Sequence, residues 1–147
     1  MKLLTLLLSV LIANPGALIP KPVEVTLEKG VYTAPSDTPD VKVKRVSNMQ
    51  HPGEYELKIT PKGIVITAAD DEGVFYAQQS LKQLLMMDNK ISCATIHDYP
   101  RFRHRAFMLD VSRNMVMKVD HLKAWMRRLA LCGYNMIMLY TEDTYEL

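Results

Sequence analysis

Apolar and polar side chains alternate in four short segments of the first half of the chain. The segments are residues 23–27, 41–44, 55–60 and 64–67. Alternation with a period of two is the pattern of a strand with one buried face. Pro61-Lys62-Gly63 separates the last two segments by a tight turn, which predicts a hairpin. The pattern therefore predicts a small antiparallel sheet.

A helix is expected after the hairpin. Asp70, Asp71 and Glu72 supply a cap and negative charge where a helix begins. Helical spacing places one set of apolar residues on a single face, namely Val74, Ala77, Leu81, Leu84 and Leu85. Gln78, Lys82 and Gln83 lie on the opposite side. We expect this helix to cover one face of the sheet and to complete a small α/β domain over residues 18–98.

The pattern changes after Pro100. Residues 107–109 form a short apolar run that ends at Asp110, and residues 136–139 form another. Such runs are typical of parallel strands buried on both faces. Between them, one helical stripe consists of Leu122, Trp125, Met126, Leu129 and Ala130. Residues 99–147 are therefore predicted to form a parallel βαβ unit. This is far short of the roughly 250 residues of a complete (β/α)₈ barrel, so we expect the chain to stop before the fold is complete.

The first residues have a different character from the rest. Met1-Lys2 precedes apolar runs at residues 3–8 and 10–13, which are shorter than the roughly 20 residues of a membrane span. We predict a signal peptide over residues 1–17, cleaved after Ala17 or Ala13, and export to a periplasm or the outside. A buried first strand or helix is the alternative. No membrane span is predicted.

Composition narrows the possible partners and cofactors. With 48% hydrophobic and 23% charged residues the chain is expected to fold, and its net charge of +2 with no long basic block does not favour a nucleic-acid partner. Cys93 and Cys132 allow one disulfide, but their apolar surroundings favour two free, buried thiols. No metal or cofactor is predicted, because metal-ligand spacing is absent among His51, His97, His104 and His121.

Charged residues follow both strands of the predicted βαβ unit. Asp110 and Arg113 follow the first strand, and Glu142 and Asp143 follow the second. Parallel α/β folds bind ligands at these strand ends, and such groups suit an uncharged polyhydroxylated ligand. The alternative for Asp110 and Arg113 is that they pair with each other or cap loops. Adjacent residues on an extended segment point in opposite directions, so Glu142 and Asp143 are not predicted to form a catalytic pair.

Several motifs resemble one enzyme family. Tyr99-Pro100-Arg101-Phe102, Arg105 and residues 108–113 (Met-Leu-Asp-Val-Ser-Arg) are similar to the opening of the catalytic barrel in family 20 glycoside hydrolases, the β-N-acetylhexosaminidases. Residues 64–85 and 19–22 resemble the end and the start of the small α/β domain that precedes this barrel. The resemblance implies a small α/β domain followed by the first βαβ unit of an incomplete TIM (β/α)₈ barrel.

The resemblance also implies a function. The family removes terminal N-acetylhexosamine from glycans by substrate-assisted retaining hydrolysis, outside the usual two-carboxylate scheme. The resemblance assigns Arg105 and Glu142 to substrate binding, and Asp110, Arg113 and Asp143 are assigned as structural rim residues. The sequence departs from the family pattern at Ala106, Asn114, Tyr140 and Glu142.

The resemblance assigns no catalytic residue to this chain. The Asp-Glu pair of the family's His-x-Gly-Gly-Asp-Glu type motif belongs to a later strand, and this sequence lacks that motif. We therefore expect this chain alone to be inactive. Two alternatives stay open: another exported glycosidase with the same accessory domain, such as a uronic-acid hydrolase, or a non-catalytic carbohydrate-associated module.

Overall fold

The chain forms one five-stranded sheet and one two-stranded sheet, each accompanied by a helix. The computed structural model describes residues 12–35, 39–112 and 116–142. The elements are β1 Glu24–Thr33, β2 Val41–Arg45, β3 Tyr55–Thr60, β4 Gly63–Ala68, α1 Asp71–Met87, β5 Lys90–Asp98, β6 Ala106–Asp110, α2 Val119–Leu131 and β7 Met136–Tyr140. We call β1–β5 with α1 the five-stranded unit, and β6, α2 and β7 the βαβ unit.

The larger sheet has the strand order β1-β5-β3-β4-β2. The four predicted strands are present, and β3 and β4 form the predicted hairpin with Leu57 opposite Ile66. The prediction of an antiparallel sheet was wrong for β2, which runs parallel to β4, so the sheet is mixed. The reason is that β3 lies on the other side of β4 and runs antiparallel to both strands, so the chain reverses direction twice between β2 and β4 and leaves these two parallel. Strand β5 was not predicted, although it lies between β1 and β3.

Helix α1 begins and packs as its sequence predicts. Asp70 is the N-cap, and its Oδ1 accepts a hydrogen bond of 2.7 Å from the backbone N–H of Gly73. The core between helix and sheet is fully buried and includes Leu57, Ile59, Ile66, Ala77, Leu84, Ile91 and Ile96. A side chain at residue 73 would overlap the backbone carbonyl of Glu54, so only glycine permits this close approach of helix and strand.

The N-terminal residues from Ala13 onward belong to the five-stranded unit. The Ala13 N–H donates to the Lys90 carbonyl at 2.7 Å, and the Ser92 N–H donates to the Ala13 carbonyl at 3.0 Å. Ala13, Pro15 and Leu18 are buried. The predicted signal peptide over residues 1–17 therefore overlaps residues that pack on the sheet, while residues 1–11 lie outside the described part of the chain.

The βαβ unit has the predicted parallel strands and helix. Phe107 lies opposite Ile137 and Leu109 opposite Leu139, both pairs in parallel register. Trp125 of α2 stacks on Phe107, with ring centroids 5.7 Å apart. Burial on both faces was predicted for these strands, and it is wrong here: Met108 is 64% and Met138 51% exposed. Within residues 12–142 as described, nothing covers the sheet face opposite α2.

Both cysteines are free thiols. Cys93 is buried in β5 as predicted, and burial raises the pKa of its thiol. The prediction of a buried Cys132 was wrong, because this residue follows the last residue of α2 and is exposed.

Glu54 is a buried carboxylate directly before β3, only 8% exposed. Its Oε1 lies 2.9 Å from His97 Nε2, and its Oε2 accepts bonds of 2.8 Å from the backbone N–H groups of Gln50 and His51. Burial alone would raise the pKa of Glu54, but the hydrogen bonds from His97 and the two backbone groups outweigh it and hold the pKa below its ordinary value. The carboxylate thus fixes the connection between β2 and β3 against the end of β5.

We expect Glu54→Gln to lower the free energy of unfolding by about 2 kcal/mol at neutral pH, because its amide cannot accept bonds on both ends. The depressed pKa means that the carboxylate stabilises the fold above its unfolded pKa of about 4.3 and stops doing so as the pH falls through the lower folded pKa. Urea unfolding should therefore show the two proteins converging below about pH 4. Glu56→Gln, two residues further on in β3, should change stability by no more than about 0.5 kcal/mol. A stability difference that is constant with pH would contradict this account.

Candidate functional site

Four polar side chains meet where β6 and β7 end. The parallel register places Asp110 opposite Tyr140, and Ser112 and Glu142 follow two residues after each. Ser112 donates to Asp110 Oδ1 from its backbone N–H at 2.9 Å and from its hydroxyl at 2.6 Å. The Tyr140 hydroxyl donates to Glu142 Oε1 at 3.1 Å, and Ser112 Oγ lies 3.4 Å from Glu142 Oε2. We call these four residues the rim.

The backbone of Glu142 has an unusual conformation. Its φ of 44° lies in the left-handed region, which non-glycine residues seldom adopt. Strained residues of this kind are concentrated at functional sites, because the surrounding structure must hold them in place. The hydrogen bond from Tyr140 is one interaction that accompanies this conformation.

The structure brings together only some of the residues predicted at this edge. Asp110 and Glu142 lie on either side of Ser112. The two bonds from Ser112 to Asp110 match the alternative in which Asp110 caps its own loop. Arg113 and Asp143 lie outside the described residues. Ser112 and Tyr140 had no predicted role as polar partners.

Arg105 lies at the other end of the strand pair, directly before β6. Its Nε donates to the Gly133 carbonyl at 2.6 Å, and its terminal nitrogens donate to the Phe102 carbonyl and the Tyr76 hydroxyl. The guanidinium also lies over the Tyr76 ring, 5.0 Å from its centroid. The side chain is 19% exposed. One residue thus connects α1, the turn after α2 and the chain leading into β6.

The geometry separates the two residues that the resemblance assigns to one sugar. Strand β6 has five residues and spans about 16 Å at roughly 3.3 Å per residue. Arg105 lies before this strand and Glu142 lies after the parallel partner strand. Of these two residues, only Glu142 is therefore on the rim. The sequence already shows that Arg105 precedes the predicted strand and that Asp110 ends it. These two residues are therefore expected at opposite ends of the strand.

Gln83 makes a second connection between the two units. Its Nε2 donates to the carbonyls of Ile19 at 2.7 Å and Leu131 at 2.8 Å, and its Oε1 accepts from the Ile19 N–H at 3.1 Å. The sequence predicted that Gln83 lies away from the sheet, but it did not predict the contact with α2. We call Arg105, Tyr76 and Gln83 the joint.

Tyr76 keeps its proton throughout the physiological range. Burial and the hydrogen bond to Glu72 raise the pKa of Tyr76 to about 12, although the Arg105 charge opposes them. The hydroxyl donates to Glu72 Oε1 at 2.7 Å while it accepts from Arg105. The joint therefore depends little on pH near neutrality.

The described residues offer no cation site. No group of three or more His, Cys, Asp or Glu side chains in the described ranges could hold a metal ion. Two of the four histidines lie near the buried carboxylate: His97 contacts Glu54, and the His51 ring stacks on Tyr99 at 3.9 Å. In the same part of the chain, neither helix has the length and apolar character that a membrane span requires.

The fold and the rim define an α/β protein in which a sheet-plus-helix unit precedes a parallel βαβ unit. Residues 24–99, just over half of the chain, match the family model described as glycosyl hydrolase family 20, domain 2. The matched range runs from the start of β1 to one residue past β5. The chain therefore belongs to glycosyl hydrolase family 20.

Curated relatives share substantial sequence identity with this chain. The N,N'-diacetylchitobiase of Vibrio harveyi is 40% identical over 93 residues, which is 62% of this chain and 10% of that protein. The β-hexosaminidase of Vibrio vulnificus is 37% identical over 90 residues, or 60% of this chain and 10% of that protein. The chain thus spans about a tenth of the length of these two relatives.

Solved structures share the fold. The N-acetyl-β-hexosaminidase of Streptomyces plicatus in complex with Thio-NAglucal has a TM-score of 0.73 at 24% identity, covering 84% of this chain and 34% of that one. The GH20 exo β-N-acetylglucosaminidase of Vibrio harveyi in complex with N-acetylglucosamine has a TM-score of 0.74 at 22% identity, covering 88% and 26%. At these identities the likeness shows the fold alone.

We expect Arg105→Met to lower the free energy of unfolding by about 3 kcal/mol, because two carbonyls and the Tyr76 hydroxyl lose their donor in a mostly buried setting. Arg103→Met is the matched control, since Arg103 is exposed and its side chain makes no hydrogen bond with a described residue; its effect should stay within about 0.5 kcal/mol. Arg105→Lys should fall between them, because an ammonium group lacks the planar fork of donors. Equal urea midpoints for Arg105→Met and Arg103→Met would exclude the joint as a stabilising contact.

Proposed function

We propose that this chain is the N-terminal part of a β-N-acetylhexosaminidase-like glycoside hydrolase that removes terminal N-acetylhexosamine from glycans. The observation that carries the proposal is the family 20 match from β1 to β5, followed at once by a parallel βαβ unit with carboxylates at its C-terminal rim. Curated relatives named chitobiase and β-hexosaminidase support this substrate class.

In this proposal the division of the chain follows the two sheets. Residues 18–98 form the accessory domain and residues 99–147 begin a (β/α)₈ barrel. The apolar side chains of β6 and β7 opposite α2, among them Met108 and Met138, are exposed in the present structure. Parallel sheets are covered on both faces in complete α/β proteins, so this face suits the interior of a barrel that further strands close.

The rim is the part of the sugar site that this chain contributes. Carboxylates of Asp110 and Glu142 accept hydrogen bonds, and a sugar hydroxyl is a matching donor. Glu142 binds substrate in this scheme, while Asp110 positions the loop through Ser112. Arg105 acts at the joint and supports the strand from its far end.

Bond cleavage requires groups that the rim does not supply. In the family scheme the acetamido oxygen of the substrate attacks the anomeric carbon, and an Asp-Glu pair orients the acetamide and protonates the leaving oxygen. Because the motif that carries this pair is not in the sequence, we propose that the chain alone is inactive.

Export completes the proposal. The apolar residues 3–8 and 10–13 have the character of a signal-peptide core. Both predicted cleavage positions keep the buried Leu18, but only the one after Ala13 also keeps Pro15, which is buried in the five-stranded unit.

The test uses the product of the complete gene and the 147-residue chain. The complete product should release nitrophenol from the N-acetyl-β-glucosaminide at least 100-fold faster than from the β-glucuronide, and the chain alone should release none. Glu142→Gln should lower kcat/KM at least tenfold, whereas Glu56→Gln should leave it unchanged. Fractionation and N-terminal sequencing of the same protein check export and the cleavage position.

Each opposite result contradicts the proposal in a specific way. Faster release from the glucuronide would favour a uronic-acid hydrolase. Saturable glycan binding without hydrolysis by the complete product would favour a non-catalytic module. An uncleaved protein confined to the cytoplasm would contradict export.

A further inference from the structure

A cleft of about 580 Å³ lies between the two units. Its lining includes residues 19–23 and 99–102, which we call its walls, and Tyr55, Asp98, Gln79, Ser80 and Gln83, which we call its floor. Arg105 and Gly133 also line it. This volume is within the range of pockets that hold small ligands, and such pockets favour interfaces between folded units.

The floor of the cleft carries hydrogen-bonding groups. The hydroxyl of the buried residue Tyr55 lies 2.7 Å from Ser80 Oγ and donates to Asp98 Oδ2 at 3.5 Å. Asp98 Oδ1 accepts from the Val23 N–H at 3.2 Å. Beside them, the Gln79 amide makes no hydrogen bond with any described residue. The floor thus offers a hydroxyl, a carboxylate and an unused amide, which together can both donate and accept.

The walls of the cleft are rich in flat apolar groups. Pro20, Pro22 and Pro100 line it, together with the rings of Tyr99 and Phe102. Phe102 is 72% exposed, which leaves one ring open to a ligand. Apolar groups lining the same cleft as hydrogen-bonding groups are complementary to a ring that has one aliphatic face and a polar edge.

The charges of the cleft favour a neutral ligand. Three basic residues line the cleft, but the Arg105 guanidinium is already bound to the Gly133 and Phe102 carbonyls and to the Tyr76 hydroxyl. The other two, Lys21 and Arg101, are exposed, whereas Asp98 is acidic and partly buried. A cationic ligand would be repelled by Lys21 and Arg101, and an anionic ligand would be repelled by the Asp98 carboxylate. Neither charge is therefore complementary to the whole lining. A neutral molecule with both donors and acceptors avoids this conflict.

We propose that this cleft is a second carbohydrate site, which binds one neutral pyranose ring of a glycan apart from the rim. The choice of a glycan rests on the proposed function, whereas the site itself rests on the lining of the cleft. Arg105 and Gly133 precede β6 and β7, so the cleft and the rim are separated by the length of these strands, about 16 Å. Binding of one ring in the cleft would raise the local concentration of the other sugars of the same glycan near the rim.

The first experiment titrates the isotope-labelled chain with N-acetylglucosamine and with its β-1,4-linked disaccharide. We expect saturable NMR shift changes at residues 79–83 and 98–102. Phe102→Ala and Ser80→Ala should each raise the Kd at least fivefold. Met86→Ala, an exposed apolar side chain on α1 that does not line the cleft, should leave the Kd within twofold. Circular dichroism melting checks that each variant is folded.

Rim variants separate this proposal from the proposed function. Asp110→Asn and Glu142→Gln should leave cleft binding within twofold. If they abolish binding while Phe102→Ala does not, the sugar binds at the rim, and the cleft proposal is overturned with the proposed function intact. Absence of saturable shifts at the cleft residues, or tighter binding of glucuronic acid than of N-acetylglucosamine, would overturn it as well.

A second experiment uses the complete gene product and does not depend on the behaviour of the chain alone. Phe102→Ala should raise KM for an N-acetylglucosamine tetrasaccharide at least fivefold and leave KM for the nitrophenyl monosaccharide unchanged. An equal effect on both substrates would indicate a general structural defect and would contradict a separate site.

Discussion

One guanidinium group holds the two units of the chain in a fixed relation. Arg105 donates to the turn after α2, to the carbonyl of Phe102 and to the Tyr76 hydroxyl on α1. The rigid fork of an arginine can satisfy several acceptors in different directions at once, which a lysine cannot. Gln83 adds a second set of bonds between α1, the N-terminal arm and the end of α2. The position of β6 relative to the larger sheet therefore follows from the contacts of the residue directly before it.

The direction of the parallel strands determines which end of the βαβ unit carries the joint and which end carries the rim. The joint and the cleft lie where β6 and β7 begin, and the rim lies where they end. In the proposed function, Asp110 and Glu142 can therefore meet a substrate without disturbing the contacts between the units. Ser112 and Tyr140 already orient the two rim carboxylates, so in that scheme part of the ordering of the sugar site would precede ligand binding.

Local periodicity predicted most of the elements but few of the contacts. The hairpin, both helices and the two parallel strands have clear periods in the sequence, and helix α1 begins at its predicted cap. Strand β5 was missed because Cys93 and Ala94 are adjacent and both buried, which interrupts the alternation. The parallel direction of β2 depends on strand order, and a single strand carries no signal for it. Cys132 looked buried because its neighbours in sequence are apolar, yet the helix end leaves it exposed.

The candidate site was predictable only where a topological rule applied. The rule that ligands bind at the C-terminal strand ends located Asp110 and Glu142. The joint could not be predicted, since Gln83 and Leu131 are far apart in sequence and meet only in the folded chain. The sugar-binding role that the resemblance assigns to Arg105 rests on a motif, whereas the contacts of this side chain are those of a connector. The cleft was missed for the same reason, because its lining residues come from five separate segments of the chain.

The most direct test of the central claim, that the two units form one folded body, is urea unfolding followed by two probes. The single tryptophan, Trp125, stacks on Phe107 and reports the βαβ unit, whereas far-UV circular dichroism reports mainly the larger five-stranded unit. If the joint couples the units, both signals should give one transition with the same midpoint and slope. A fluorescence transition at clearly lower urea, with most of the circular dichroism signal retained, would show that the βαβ unit unfolds by itself and would contradict the account.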